Sequence, residues 1–215
     1  KAYSATGSSQ DIALLQTVLS KVTGDLPYTP ADVQQALTDS GVPTGSGSGF
    51  ALIVGEDNLT GTSGDDVFTA LAVQDNVGGV VNSLESIDRL DGGTGNDTLT
   101  ATLIAGAAPA LTSIENVIAR FGAGTTLDLA NSTGVQSVTV QSSTAAGTVD
   151  SIGTAATLGV RNQVQDVTFA GNTATIQNLN LDTVGNFTTP TQNTVTLDDG
   201  ATTLNLSTNN SNAII

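Results

Sequence analysis

Two short segments of this chain spell nearly the same turn. Gly61-Thr62-Ser63-Gly64-Asp65-Asp66-Val67-Phe68-Thr69-Ala70 matches Gly92-Gly93-Thr94-Gly95-Asn96-Asp97-Thr98-Leu99-Thr100-Ala101, 31 residues later. Such a repeat narrows the possible folds, because architectures that stack one unit on the next leave self-similarity in the sequence. The lead-ins agree too: Asp57-Asn58-Leu59-Thr60 enters the first turn and Asp88-Arg89-Leu90-Asp91 the second, so each copy reads as strand, turn, strand. The ends also match, with Ser83-Leu84-Glu85-Ser86-Ile87 then Arg89-Leu90 against Ser113-Ile114-Glu115-Asn116-Val117 then Arg120-Phe121. On this reading Arg89 and Arg120 occupy equivalent positions in two coils of about 31 residues.

The end pattern is an aliphatic residue, Glu or Gln, a small polar residue and another aliphatic. It returns at Val135-Gln136-Ser137-Val138, Val164-Gln165-Asp166-Val167 and Ile176-Gln177-Asn178-Leu179. Starts at 84, 114, 135, 164 and 176 give steps of 30, 21, 29 and 12, the last too short for a full coil. Stacked Gln and Asn at one corner of successive coils would hydrogen-bond up the ladder.

Segment 92–100 fits Gly-Gly-x-Gly-x-Asp-x-aliphatic-x at every specified position. Glycines permit backbone conformations that expose carbonyl oxygens, the aspartate adds a charged oxygen, and the aliphatic residue anchors the turn to a strand. Oxygen donors on flexible loops suit Ca²⁺ better than the smaller, octahedral Mg²⁺. The candidate ligand set is Asp57, Gly61, Gly64, Asp65 and Asp66 from the first copy, with Asp88, Asp91, Gly92, Gly93, Gly95, Asn96 and Asp97 from the second. If the spacing returns the chain to the same side of a coil, Asp65 and Asp66 lie above or below Asn96 and Asp97. Calcium would then sit between the turns. Gly-Asp turns also connect ordinary hairpins without metal.

Composition agrees with this picture and closes other classes. Twenty acidic residues against five basic ones give a net charge of −15, which excludes a nucleic-acid partner and calls for neutralising cations. With no Cys and no His, disulfides, thiolate metal sites and the usual general base are excluded. Only 3% of residues are aromatic, so the core is built from Val, Leu, Ile, Ala and Thr, which favour pleated surfaces. No run of eighteen apolar residues marks a membrane span. The start at Lys1 without a signal-peptide pattern, and the apolar ending Ile214-Ile215, suggest a piece of something longer.

Three regions are expected. Residues 1–44 read as a helical hairpin: Ile12, Leu15, Leu19 and Val22 recur at helical spacing before Gly24, and Thr29-Pro30-Ala31-Asp32 opens a second helix that Gly41 stops. The hairpin is a candidate cap, anchor or assembly segment. Residues 45–49 form a Gly/Ser linker. Residues 50–215 carry short alternating strands, among them 126–129, 137–140, 166–169, 178–181, 194–197 and 203–206. The series suits a sandwich or a solenoid, and the repeats favour a mainly β, parallel β-helix or β-roll-like solenoid.

At the two turns the chain resembles the RTX repeats of bacterial proteins exported by type I secretion. That resemblance implies parallel β-rolls with Ca²⁺ between turns, folding where calcium is plentiful, outside the cell. The wider arrangement is Leu59-Thr60-Gly61-Thr62, the turn at Gly92, Ser113-Ile114-Glu115-Asn116-Val117, and then Thr-rich and Asn-rich strands. It looks like S-layer proteins of Gram-negative bacteria such as Caulobacter, over residues 50–215. The chain departs from RTX rolls in having two turns with long segments between them.

The reading that follows is a secreted, calcium-dependent structural protein of a bacterial cell surface, an S-layer or surface-fibre subunit that self-assembles into a lattice or filament. It is not an enzyme. One alternative is an adhesin presenting a ligand-binding loop, with 71–83 and 102–112 as candidate loops and cell-surface polysaccharide as a candidate partner. Its weakness is the absence of aromatic platforms there. The other is a polysaccharide-modifying β-helix enzyme, which the missing histidines and the scattered Lys1, Lys21, Arg89, Arg120 and Arg161 disfavour.

Overall fold

Strict alternation of apolar and polar residues, with β-branched side chains at most polar positions, commits a segment to a strand that buries one face. In the computed structural model the segments with this pattern are strands, and the protein is mainly β. The structure describes residues 47–215 apart from 76, 186–191 and 199. The chain divides into two compact units, Lys1–Ser46 and Gly47–Ile215. The expected helical hairpin lies outside the described residues, and among the described residues there is no helix.

The largest sheet has eight parallel strands: β1 (Gly49–Ala51), β3 (Val67–Ala70), β7 (Thr98–Leu103), β9 (Asn116–Phe121), β11 (Ser137–Gln141), β13 (Thr157–Gln163), β15 (Ile176–Val184) and β17 (Thr203–Asn209), hydrogen-bonded in that order. Gly49, the last residue of the Gly/Ser stretch, already pairs with Val67. A second parallel sheet takes the alternate strands β10 (Thr125–Asp128), β12 (Gly147–Asp150), β14 (Val167–Phe169) and β16 (Val195–Leu197). A third holds β2 (Asn58–Thr60), β6 (Arg89–Asp91) and β8 (Ala110–Thr112), also parallel. From Thr125 on, the chain runs alternately through the first and second sheets. The one antiparallel pair among the described residues, β4 (Ala72–Gln74) with β5 (Val80–Asn82), lies within 71–83. Segment 102–112, expected to be irregular, instead contains the end of β7 and all of β8.

Parallel register lines up like side chains in columns. Phe68, Leu99, Val117, Val138, Leu158 and Leu179 form one buried column of the large sheet; Ala70, Ala101, Ala119, Val140, Val160 and Leu181 form the next. Leu127, Val149 and Phe169 face the same core from the second sheet, followed by half-buried Leu197. Each fully buried aliphatic or phenyl side chain contributes about 1.5–3 kcal/mol. The core compensates in size where a large ring intrudes: the fully buried Phe121 ring lies where a Cβ on Gly147 would be.

The register confirms the 31-residue step between the two turns, pairing Leu59 with Leu90 and Phe68 with Leu99. It corrects the rest of the repeat. After β7 the step shortens: Thr98 lies beside Asn116, then Ser137, Thr157, Asn178 and Asn205. The end patterns at 114, 135 and 176 therefore share one sheet, whereas the copy at 164 leads into β14 of the other. Arg89 and Arg120 are not equivalent: Arg89 pairs with Ala110 in the three-stranded sheet and Arg120 with Thr102 in the large one. The similarity of 83–87 to 113–117 does not reflect stacking, because the segment after β8 turns back to the large sheet 18 residues after Thr98, not 31.

Candidate metal centre

Strands β2 and β6 deliver the two glycine turns one above the other, and the turns return the chain into β3 and β7. At the foot of those strands the aspartates form a ladder in which each carboxylate accepts the backbone N–H of the neighbouring pass. Asp66 Oδ1 accepts from Ser48 N–H; Asp97 Oδ1 accepts from Asp66 N–H at 2.6 Å; Glu115 Oε2 accepts from Asp97 N–H at 2.8 Å. Both aspartates are almost wholly buried. A buried charge survives only where hydrogen bonds replace its water, and the ladder supplies them.

The two aspartates are served unequally. Asp66 also accepts from the N–H and the hydroxyl of Thr62. Burial acts to raise its pKa, but the hydrogen bonds from Ser48 and Thr62 outweigh burial and hold the carboxyl below the ordinary aspartate value. Asp97 has Gly93 where Asp66 has Thr62, and its Oδ2 is buried with no hydrogen-bond partner. Burial pushes the Asp97 carboxyl up, the Asp66 amide partly opposes this, and the charges of Asp66, Glu115 and Asp65 add to the rise.

The glycines make room for these oxygens. A Cβ on Gly92 would overlap both the Ser113 carbonyl oxygen and Asp97 Oδ2; one on Gly61 would overlap the Gly92 carbonyl oxygen and crowd Asp66 Oδ2. Each notch therefore brings a carboxylate oxygen and a carbonyl oxygen from the next pass to the same place. Gly93 and Gly95 have φ of 89° and 138°, and a Cβ on either would strike the carbonyl of Thr62 or Gly64 beneath it.

A second ladder precedes the turns. Asp57 Oδ2 accepts from Ile53 N–H, and Asp88 accepts from Asp57 N–H at 2.9 Å and Glu85 N–H at 2.7 Å. Burial raises the Asp88 carboxyl; the Glu85 and Asp57 amides lower it, and the charges of Asp57 and Glu85 raise it further.

Of the sequence-predicted ligands, Asp66, Asp97, Gly61 and Gly92 meet around the first ladder, while Asp57 and Asp88 meet in the second. Asp65 is exposed and accepts from Asn96 N–H, Asn96 accepts from the Asn116 amide, and Asp91 accepts from Gly93 N–H. Gly64 N–H donates to the Thr62 hydroxyl. Sequence reasoning missed Glu115, the third rung, and Glu85. The signal for Glu115 was an acid directly before a strand, as in Asp66-Val67 and Asp97-Thr98.

Among the described residues no three acidic side chains form a group able to hold an ion unaided. Any cation between these turns needs carbonyl oxygens as well, and the notches at Gly61 and Gly92 present them. The donor set of carboxylate and carbonyl oxygens without nitrogen or sulfur suits a hard cation. No protein-family model matches the chain, and neither a curated protein nor a solved structure matches it.

Proposed function

We propose that the chain is a calcium-binding structural protein of a bacterial surface, RTX-like at its turns, whose parallel strands are coils of a β-solenoid and whose copies self-assemble outside the cell. The observation that carries this reading is Asp97 Oδ2: a carboxylate oxygen, buried, without a donor, beside the Ser113 carbonyl in the Gly92 notch. A cation there satisfies the orphan oxygen and offsets the mutual repulsion of Asp66, Asp97 and Glu115. Asp97 Oδ2 and the carbonyl of Ser113, which meet at the Gly92 notch, are the groups that would hold it.

A net charge of −15 supports the assembly step, since copies repel one another until cations neutralise them. Calcium titrated calorimetrically into chelator-treated protein is expected to bind with Kd on the order of 10⁻⁴–10⁻³ M, the range of extracellular modules, with magnesium weaker. Sedimentation in the same buffers is expected to show association on adding calcium. A protein whose heat, circular dichroism and sedimentation ignore both calcium and chelator would overturn the proposal.

A further inference from the structure

The charge of this protein is unevenly placed over its two long sheets. Their inner faces share one apolar core, so their outer faces point away from it. Along the eight strands of the large sheet the outward positions are mainly Thr, Asn and Ser, and the charged side chains among them are Arg120, Arg161 and Asp182. The outer positions of the second sheet form two rows: Thr126, Thr148, Thr168 and Thr196, and beside them Asp128, Asp150, Ala170 and Asp198. In a chain of charge −15, one face is thus slightly basic and another strongly acidic.

The spacings match as well as the signs. Register puts Gln141 between Arg120 and Arg161, two strand steps apart, about 9.5 Å at the spacing of neighbouring strands. Ala170 likewise separates Asp150 from Asp198 by two steps. Both guanidiniums are exposed. Arg161 meets Asp182 only at 4.0 Å across an exposed pair, which holds it weakly, and among the described residues Arg120 has no ion pair.

We infer that the outer face of the eight-stranded sheet docks on the outer face of the four-stranded sheet of a second copy, Arg120 and Arg161 meeting Asp150 and Asp198 with Gln141 over Ala170. The inference rests on the self-assembly proposed above and names its surface. The two faces differ, so the contact is heterologous: every docked copy leaves one face of each kind free, and association propagates instead of closing at a dimer.

Charge reversal tests it. One variant carries Arg120→Glu and Arg161→Glu, a second Asp150→Arg and Asp198→Arg, and both are compared with the unaltered chain by sedimentation in millimolar calcium, with circular dichroism to verify folding. Each variant alone pairs like with like and is expected to associate at least about tenfold more weakly. Mixed, they present opposite faces again and should co-sediment as alternating assemblies. Asp198→Arg alone, at an exposed position, should weaken association in the same direction if the Asp150 change disturbs folding. Variants that associate like the unaltered chain, or a folded mixture that stays apart, would overturn this surface while leaving self-assembly standing. An unaltered chain that never associates would instead sink the assembly reading, and this surface with it.

Discussion

The amide of Asp66 donates to Oδ1 of Asp97 at 2.6 Å, across 31 residues of chain, while Oδ2 of the same carboxylate has no donor. Half of that group is therefore structural, and the other half is the oxygen proposed above to meet the cation. Asp97→Asn separates the two roles: the amide oxygen can still accept from Asp66, but the charge is gone. In chelator the variant is expected to be as stable as the parent or about 1 kcal/mol more so, because a buried, under-solvated charge has been removed. Calcium at a hundred times its Kd should stabilise the parent by about 2.7 kcal/mol and the variant hardly at all. Thermal melts with and without calcium read both effects; an undiminished calcium shift in the variant would place the ion elsewhere.

Without divalent cations, stability should vary with pH in two opposed ways. Asp97 and Asp88 lie above the ordinary value of 3.8 when folded, burial being the main cause, so each binds its proton more tightly folded than unfolded. Their contribution rises as pH falls through the folded values and is complete below the unfolded one. Asp66 is depressed, so its contribution is present above 3.8 and is lost as pH falls through its lower folded value. Urea melts of chelated protein are expected to show stability climbing on mild acidification and turning down at stronger acid. A monotonic fall from neutral pH would contradict the raised carboxyls.

Gly92→Ala and Gly147→Ala should each cost about 1–3 kcal/mol through overpacking, for different reasons. The first methyl meets the Ser113 carbonyl and Asp97 Oδ2, the second the Phe121 ring. Only the first should also weaken calcium binding. Gly49→Ala, whose methyl meets nothing within 4 Å, is the control and should change the denaturation midpoint little.

Leu179 and Leu206 are partners in one column, yet Leu179 is fully buried and Leu206 on β17 is 49% exposed. Leu179→Ala is expected to cost about 2–5 kcal/mol and Leu206→Ala much less. Equal losses, measured by chemical denaturation, would mean that β17 is covered in solution.

How far the sequence was readable depended on residue type. Turns need glycine at positions no other residue tolerates, so the 31-residue step was visible at Gly61 and Gly92 and the register agrees with it. Strand positions need only an aliphatic residue and a small polar one, which Thr-rich and Asn-rich segments satisfy everywhere. That is why Val164-Gln165-Asp166-Val167 looked like its neighbours although β14 belongs to another sheet. Of the expected ladder of Gln and Asn, the Asn part forms in two pieces, through Asn96, Asn116 and Ser137 and again through Asn178 and Asn205. Glu115 escaped notice because the pass that brings it beside Asp97 is 18 residues long, and no glycine turn marks that step.

The carboxylate ladder also fixes an order in time. Ser48 leans on Asp66, Asp66 on Asp97, and Asp97 on Glu115, every amide waiting for an acceptor that lies further along the chain. Each amide leaves the site of synthesis 18, 31 or 18 residues ahead of its acceptor, so during synthesis no rung can form until the chain has been made past the carboxylate it leans on.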